Sequence, residues 1–529
     1  MNNSQGLLSL VLHAHLPFVR HPEHADMMEE RWLYEAITET YVPLLEIFGK
    51  LVADGVDFRI TMSLTPPLAN MLADDLLIGR YSTHLARLEE LAEREIDRTR
   101  WQPEFHSTAL MYREKFRRTR RVFESCGGNL VKLFKKYQDA GVLEIITCCA
   151  THAFLPLISD FRPAVRAQIE MAVRDYQKHF ARPPRGIWLA ECAYSPGDDQ
   201  ILKDFGIRYF FTDTHGILFA DPRPTYGVYA PIECPSGVLA FGRDVDSSRQ
   251  VWSAHEGYPG DFSYREFYRD IGFDLEFDYI RPYIHESGHR LNTGIKYYRI
   301  TSRDGAEKQP YNYQDAMHRV AVHAAHFISC REQQIRELTP AMDRPPIVIS
   351  PYDCELFGHW WYEGPEFIHH VLRKIALEST ALRLATPADY LEACPQNQKS
   401  TPSLSSWGHR GYNEFWLDES NAWIYPHMHK ASQRMIELAD RFPEAGGLRL
   451  RALNQAAREL MLLQSSDWAF IMKTGTTVEY AHKRTRDHTF RFNRLYENIV
   501  KDQINENWLR EVENRDNIFP EMDYRIYRS

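Results

Sequence analysis

Seven short apolar runs punctuate the first two thirds of the chain: Leu7–Leu12, Phe58–Leu64, Val142–Cys149, Gly186–Ala190, Arg208–Thr212, Val238–Gly242 and Ile347–Ser350. Several are nearly continuous rather than alternating, as in LLSLVL, PIVIS and YFFT. A strand that is apolar at successive positions has both faces covered, which is the condition of parallel strands packed between or inside other layers. Stretches of helical period lie between many of the runs, with Arg31–Phe48 and Tyr313–Arg331 the clearest. This alternation predicts an α/β chain folded as a distorted (β/α) barrel rather than a doubly wound sheet.

Two stretches interrupt the alternation. Residues 68–138 read as a helical, charged insertion, and residues 250–312, rich in Tyr, Asp and Gly, read as an insertion over the barrel mouth. Near 395–406 the sequence PQNQKSTPSLSS has the composition of a linker. The expected organisation is therefore a catalytic barrel over 1–395 and a helical C-terminal domain over 396–529. In the latter, Leu453, Ala456, Ala457 and Leu460 mark one amphipathic stripe.

Composition narrows the function classes. The 529 residues carry 63 Lys plus Arg against 72 Asp plus Glu, a formal net charge of −9. Such a chain has no global attraction for nucleic acid or for an anionic membrane. The basic run REKFRRTRR at Arg113–Arg121 is read as one solvated helix face beside Glu114 rather than a nucleic-acid patch. No apolar run reaches membrane-spanning length, and the N-terminal MNNSQGLLSLVLHAH lacks a basic n-region, so a cytoplasmic protein is expected. The eight cysteines include no C-x-x-C pair and read as reduced thiols. No G-x-G-x-x-G follows the first strand, and no cofactor is expected. None of these patterns specifies an oligomeric state.

The chemistry gathers where strands end. The first run leads into His13-Ala14-His15-Leu16-Pro17. Residues two apart on a strand share a face, so both imidazoles point one way at the barrel mouth. They read as donors to substrate hydroxyls; a metal pair and a structural pair are the alternatives, and the metal reading lacks further closely spaced ligands. Glu191 stands directly after the fourth run, and Asp353 after the last, followed by Glu355, His359, Trp360 and Trp361. A carboxylate at the end of an apolar strand is costly without a task. Two of them at one mouth beside aromatic rings form the constellation of glycoside chemistry, in which one acid attacks the anomeric carbon and the other protonates the leaving oxygen. Glu144 and His152 belong to the third strand and its exit and could reach the same mouth. Trp407, Trp416 and Trp423 crowd the stretch Ser405–His429, where Trp407 and Trp416 read as sugar platforms, and Ser465-Ser466-Asp467-Trp468 follows an apolar helix.

These motifs resemble glycoside hydrolase family 57, and within it the 1,4-α-glucan branching enzymes and their AmyC-like relatives. The resemblance runs from His13 to about Tyr496, through HAHLP at 13–17, EIITCCATHAFLPL at 144–157, WLAECAY at 188–194, YDCELFGHWW at 352–361 and SSDWAFI at 465–471. It implies a (β/α)7 barrel, a helical insertion and a helical C-terminal domain that contributes to the cleft. It implies a retaining, metal-independent enzyme acting on α-glucan such as amylose or a glycogen-type polymer, with Glu191 as nucleophile and Asp353 as acid/base. His13, His15 and His152 match the donor sugar pocket, and Arg265, Trp407 and Asp467 match substrate contacts, with Trp360 beside them. The expected activity is 1,4-α-glucan branching. An α-amylase or 4-α-glucanotransferase of the same family, a metal-dependent barrel hydrolase using His13 and His15, and a glycan-binding scaffold without turnover are the alternatives. The segment 271–301 resembles the AmyC-like branch. The loop near 230–240, which in branching enzymes covers the cleft and carries a tyrosine, is short here (APIECPSGVLA).

Overall fold

The computed structural model describes residues 6–253, 256–301 and 308–529. The first five residues of the N-terminal stretch, and residues 254–255 and 302–307 of the expected insertion at 250–312, lie outside the described residues. Each of the seven apolar runs is a strand: β1 Gly6–Ala14, β2 Ile60–Leu64, β3 Leu143–Cys148, β4 Gly186–Trp188, β5 Tyr209–Thr212, β6 Leu239–Gly242 and β7 Ile347–Asp353. They pair in the order β7-β1-β2-β3-β4-β5-β6, every neighbour parallel. The sheet curls into a distorted barrel. Across the seam between β6 and β7 the Asp244 amide donates to the Ile349 carbonyl at 2.9 Å.

The period of two explains why the runs are continuous. Leu7 and Val11 of β1, Ile146 and Cys148 of β3, Trp188, Tyr209, Phe211, Phe241, Ile347 and Ile349 form one cluster inside the barrel. The alternate residues, among them Leu8, Leu10, Leu12, Ile145, Ile187, Phe210 and Val348, pack outward into a larger core shared with the helices. Both faces of each strand are thus removed from water.

The insertion expected at 68–138 is helical, with helices at Pro66–Leu72, Asp75–Arg98, Pro103–Ser125 and Val131–Asp139. The basic run lies on the third of these. Arg117 pairs with Glu93 and Arg120 with Glu89, both at 2.7 Å, on the facing helix Asp75–Arg98, while Arg121 pairs with Glu114 at 2.9 Å. Its charges are spent on neighbouring helix faces. After β1 the chain runs through one helix in three parts, Glu30–Ala36, a π-helical turn at Ile37–Tyr41, and Val42–Ala53.

Two expectations change. The 395–406 stretch is not a free linker. Gln398–Lys399 pairs in parallel with Ile232–Glu233 at the sheet edge, and Thr401 and Ser405 bridge to Asp221 and Tyr194. The chain keeps lacing along the barrel before the helices Ile424–Arg441, Gly447–Leu463, Ser466–Thr474, Val478–Val500 and Glu506–Arg515 begin. Second, the short segment near 230–240 is no cleft cover. Ile232–Glu233 turns back antiparallel onto β6, and the Ser236 amide meets Asp199 at 3.3 Å. Its turn leads into the start of β6, whereas cleft residues follow the ends of the strands.

Candidate active site

A cavity of about 470 Å³ opens at the C-terminal ends of the strands. His13 and His15 reach it from β1, His152 from β3, Glu191 from β4, Arg243 from β6, and Asp353 and Glu355 from β7. Trp407 and Asp467 enter from the chain beyond the barrel, and Trp252, His359, Trp360 and Phe470 complete the rim. Trp360 is 47% exposed and meets Trp252 edge-on at 6.1 Å. Among the described residues, no helix is long and apolar enough to cross a membrane.

Backbone strain concentrates here. His152, Glu191 and Cys192 have φ of 59°, 62° and 50°. Left-handed backbone costs roughly 1–2 kcal/mol for a residue with a Cβ. Such outliers persist where the surroundings over-determine them, and all three stand where β3 and β4 give way to cavity loops.

The hydrogen bonds give direction to the three imidazoles. Ser466 Oγ donates to Glu191 Oε1 at 3.2 Å, so it accepts from His152 Nδ1 at 2.8 Å. His152 Nε2 is then the acceptor of its 3.0 Å contact with His13 Nε2, and His13 Nδ1 accepts from Ser63 Oγ at 3.2 Å. This assignment follows from the network. It holds for both histidines in the neutral form, which burial and neighbouring imidazoles favour by holding them well below their usual proton affinity. His15 differs. Its Nε2 lies 2.9 Å from Asp467, which outweighs burial and holds His15 above its ordinary value. Asp467, opposed by burial but paired with His15, is held at about 2.

The two strand-end acids have unlike surroundings. Glu191 accepts from the Trp407 indole N–H at 2.8 Å and from Ser466, and the Trp407 amide donates to its carbonyl at 2.8 Å. Burial pushes its carboxyl up to about 7 against those donors. Asp353 accepts no hydrogen bond among the described residues. Burial, then Glu355, then Glu191 raise it well above the carboxylate range, and Arg243 opposes them.

Two expected substrate contacts do not reach the cavity. Arg265 is 4% exposed; its Nη1 donates to the Tyr112 hydroxyl at 3.1 Å, lies 3.6 Å from Glu39, and its guanidinium covers the Tyr362 ring at 4.1 Å. It supports the wall through Glu39, which bonds His359 at 2.6 Å. Trp416 is 1% exposed and stacked on Phe154 at 4.6 Å, with no face left for a sugar. Trp423 packs against His482, and Glu144 lies buried at the opposite end of the barrel, 3.1 Å from Arg185. Trp407 does line the cavity, but its N–H is committed to Glu191, so it is more than a stacking surface.

Arg243, Glu35 and Trp252 were not anticipated. Arg243 had a signal, since it follows β6 immediately, more directly than Glu191 follows β4. Glu35 and Trp252 had none. Glu355, His359 and Ser466 stood inside recognised motifs without an assigned part.

The ligand atoms of His15, His152 and Asp467 lie within 4.8 Å of one another. They suit an ion poorly. The two rings are stacked face to face at 3.7 Å, and their nitrogens are engaged by Asp467, Thr65, Ser466 and His13. The buried set Glu459, His488 and Asp516 in the helical region faces Arg484 and Arg491 instead.

Comparison with known proteins identifies the family. Residues 9–350 match the glycosyl hydrolase family 57 model, and residues 427–527 match a model described as 1,4-alpha-glucan branching enzyme, C-terminal. A 1,4-alpha-glucan branching enzyme of Thermococcus kodakarensis is 34% identical over 97% of this chain and 77% of its own length. The crystal structure of the alpha-amylase AmyC from Thermotoga maritima superposes with a TM-score of 0.94 at 48% identity, covering 99% of both chains. That of a family 57 branching enzyme from Pyrococcus horikoshii superposes with a TM-score of 0.89 at 33% identity, covering 99% of this chain and 97% of the other. With the motifs, the barrel and the match over most of its length, the chain belongs to glycosyl hydrolase family 57.

Proposed function

We propose that this protein is a retaining α-glucan enzyme that builds α-1,6 branches by transferring α-1,4-linked segments. The observation that carries the retaining mechanism is the unlike pair of acids in one cavity, and the similarity to family 57 branching enzymes supports transfer as its outcome. Two N–H and O–H donors favour the anion of Glu191, which suits a nucleophile. Asp353, without donors and faced by two other carboxyls, suits the group that holds a proton.

In the first step Glu191 attacks C1 of an α-1,4-linked chain. The C1–O bond breaks, and the Asp353 proton goes to the departing oxygen. The sugar is then held as an ester of Glu191. In the second step Asp353, now a carboxylate, takes the proton of the incoming hydroxyl, whose oxygen displaces Glu191 at C1. A glucose 6-hydroxyl yields a branch and water yields hydrolysis. Water is abundant, so transfer prevails only when the acceptor is aligned and its effective molarity exceeds that of the solvent. Trp360 and Trp252, at the open rim, offer such an acceptor an aromatic surface.

The similarity to AmyC favours a second reading, in which hydrolysis dominates. Incubation with amylose, followed by debranching and chain-length analysis, separates the two. New α-1,6 linkages in excess over new reducing ends support branching; reducing ends alone support an amylase.

A further inference from the structure

The cavity holds a carboxyl that the reaction does not consume. Glu355 follows Asp353 by two residues and lines the same wall. It is held from two sides. The Tyr41 hydroxyl donates to its Oε1 at 2.5 Å, and the His15 amide donates to the same oxygen at 3.2 Å. Tyr41 ends the π-helical turn Ile37–Tyr41. Such a turn inside an α-helix recurs at functional sites. Here the same turn carries Glu39, whose carboxylate bonds His359, and the Glu39 carbonyl lies so close to Gly358 that a Cβ there would stand 1.9 Å from it. The turn therefore grips the loop after β7 at Glu355, Gly358 and His359.

We propose that Glu355 is a positioning residue for proton transfer: fixed by Tyr41 and the His15 amide, its carboxylate keeps the catalytic proton on Asp353 by repulsion until the glycosidic oxygen takes it. This rests on the acid/base assignment of Asp353. The groups that face Asp353 are Glu355 on its own loop, Glu191 after β4 and Arg243 after β6. Burial does most to hold the Asp353 proton, Glu355 is next and Glu191 after it, and Arg243 is the opposing cation. Glu355 is faced by Tyr41 and by His15, whose charge favours its anion. Burial lifts Glu355 to about 7 against those partners, so the device is poised near neutrality and depends on its donors. After transfer to the leaving oxygen, the same repulsion makes the Asp353 carboxylate a stronger base toward the incoming hydroxyl.

The test is kcat/KM against pH for release of reducing ends from amylose, which does not depend on acceptor preference. Parent, Asp353→Asn, Glu355→Gln, Glu355→Asp and Tyr41→Phe are compared, with melting curves for each. Asp353→Asn is the control on the underlying assignment: retained activity there overturns the acid/base reading itself. Given its loss, Glu355→Gln should draw the alkaline limb to lower pH by about one unit. Glu355→Asp should restore most of that shift. Tyr41→Phe, which withdraws the donor and lets Glu355 hold its own proton, should move the limb in the same direction. The limb belongs to the coupled carboxyls together, so its displacement between variants is the quantity read. An alkaline limb unmoved in Glu355→Gln and Tyr41→Phe, with activity lowered equally at every pH, overturns the proposal and leaves Glu355 as a prop of the wall.

Discussion

Replacing Trp407 by phenylalanine keeps an aromatic ring in the cavity wall and removes the indole N–H that reaches Glu191 at 2.8 Å. A hydrogen bond to a charged group contributes about 1.5–3 kcal/mol. One pH unit corresponds to 1.36 kcal/mol, so losing the donor should raise the Glu191 carboxyl by roughly one to two units. It already stands at about 7. The nucleophile must be ionised, so a higher value means a smaller active fraction at neutral pH, and the deficit disappears as the pH rises. Trp407→Phe should therefore lose about fivefold to fiftyfold in kcat/KM near pH 7 and recover most of it by about pH 9. The assay follows reducing ends and α-1,6 linkages on amylose across that range. Both should fall in the same proportion, because both products pass through one glycosyl ester. A loss of equal size at every pH would show that the N–H sets geometry only. A loss of branching with hydrolysis intact would make Trp407 an acceptor platform and refute its part in ionising Glu191.

Other outcomes follow from the same geometry. Exhaustive EDTA treatment should leave activity intact; loss with recovery on added zinc would mean that His15, His152 and Asp467 hold an ion after all. Arg265→Leu takes from the buried Glu39 carboxylate an ion-pair partner, leaving it His359, and should cost about 1.5–3 kcal/mol of stability, seen as a lower urea midpoint. An unchanged midpoint with a raised KM would place Arg265 on the glucan. Trp416→Ala should cost roughly 3–5 kcal/mol in the same measurement, with no change in the ratio of branching to hydrolysis.

The strands and their terminal acids were legible because both depend on local pattern. Seven apolar runs became seven parallel strands, and Glu191 and Asp353 stand where their runs stop. The spacing of His13 and His15 correctly put both at the mouth, but not their different charge, which Asp467 decides from 452 positions away. Trp407 and Trp416 look alike in sequence, nine residues apart amid Gly and Asn. One meets Glu191 and the other Phe154, partners 216 positions or more distant. Arg265 was expected at the substrate from the resemblance alone, and the packing of Tyr112, Glu39 and Tyr362 around it sets its charge inside the wall. Local chemistry names candidate groups, and long-range packing decides which of them face the cavity.

Both donors to Glu191, Trp407 and Ser466, come from chain synthesised long after the last strand of the barrel. A nascent polypeptide that has completed β7 already possesses both acids, yet its nucleophile lacks the groups that favour its anion. Those donors arrive only when the later segment threads along the sheet edge and the helix beginning at Ser466 docks. A half-folded chain thus carries both acids without the donors that favour the nucleophile's anion, and swapping C-terminal regions between relatives would transplant part of the reaction centre along with the helices.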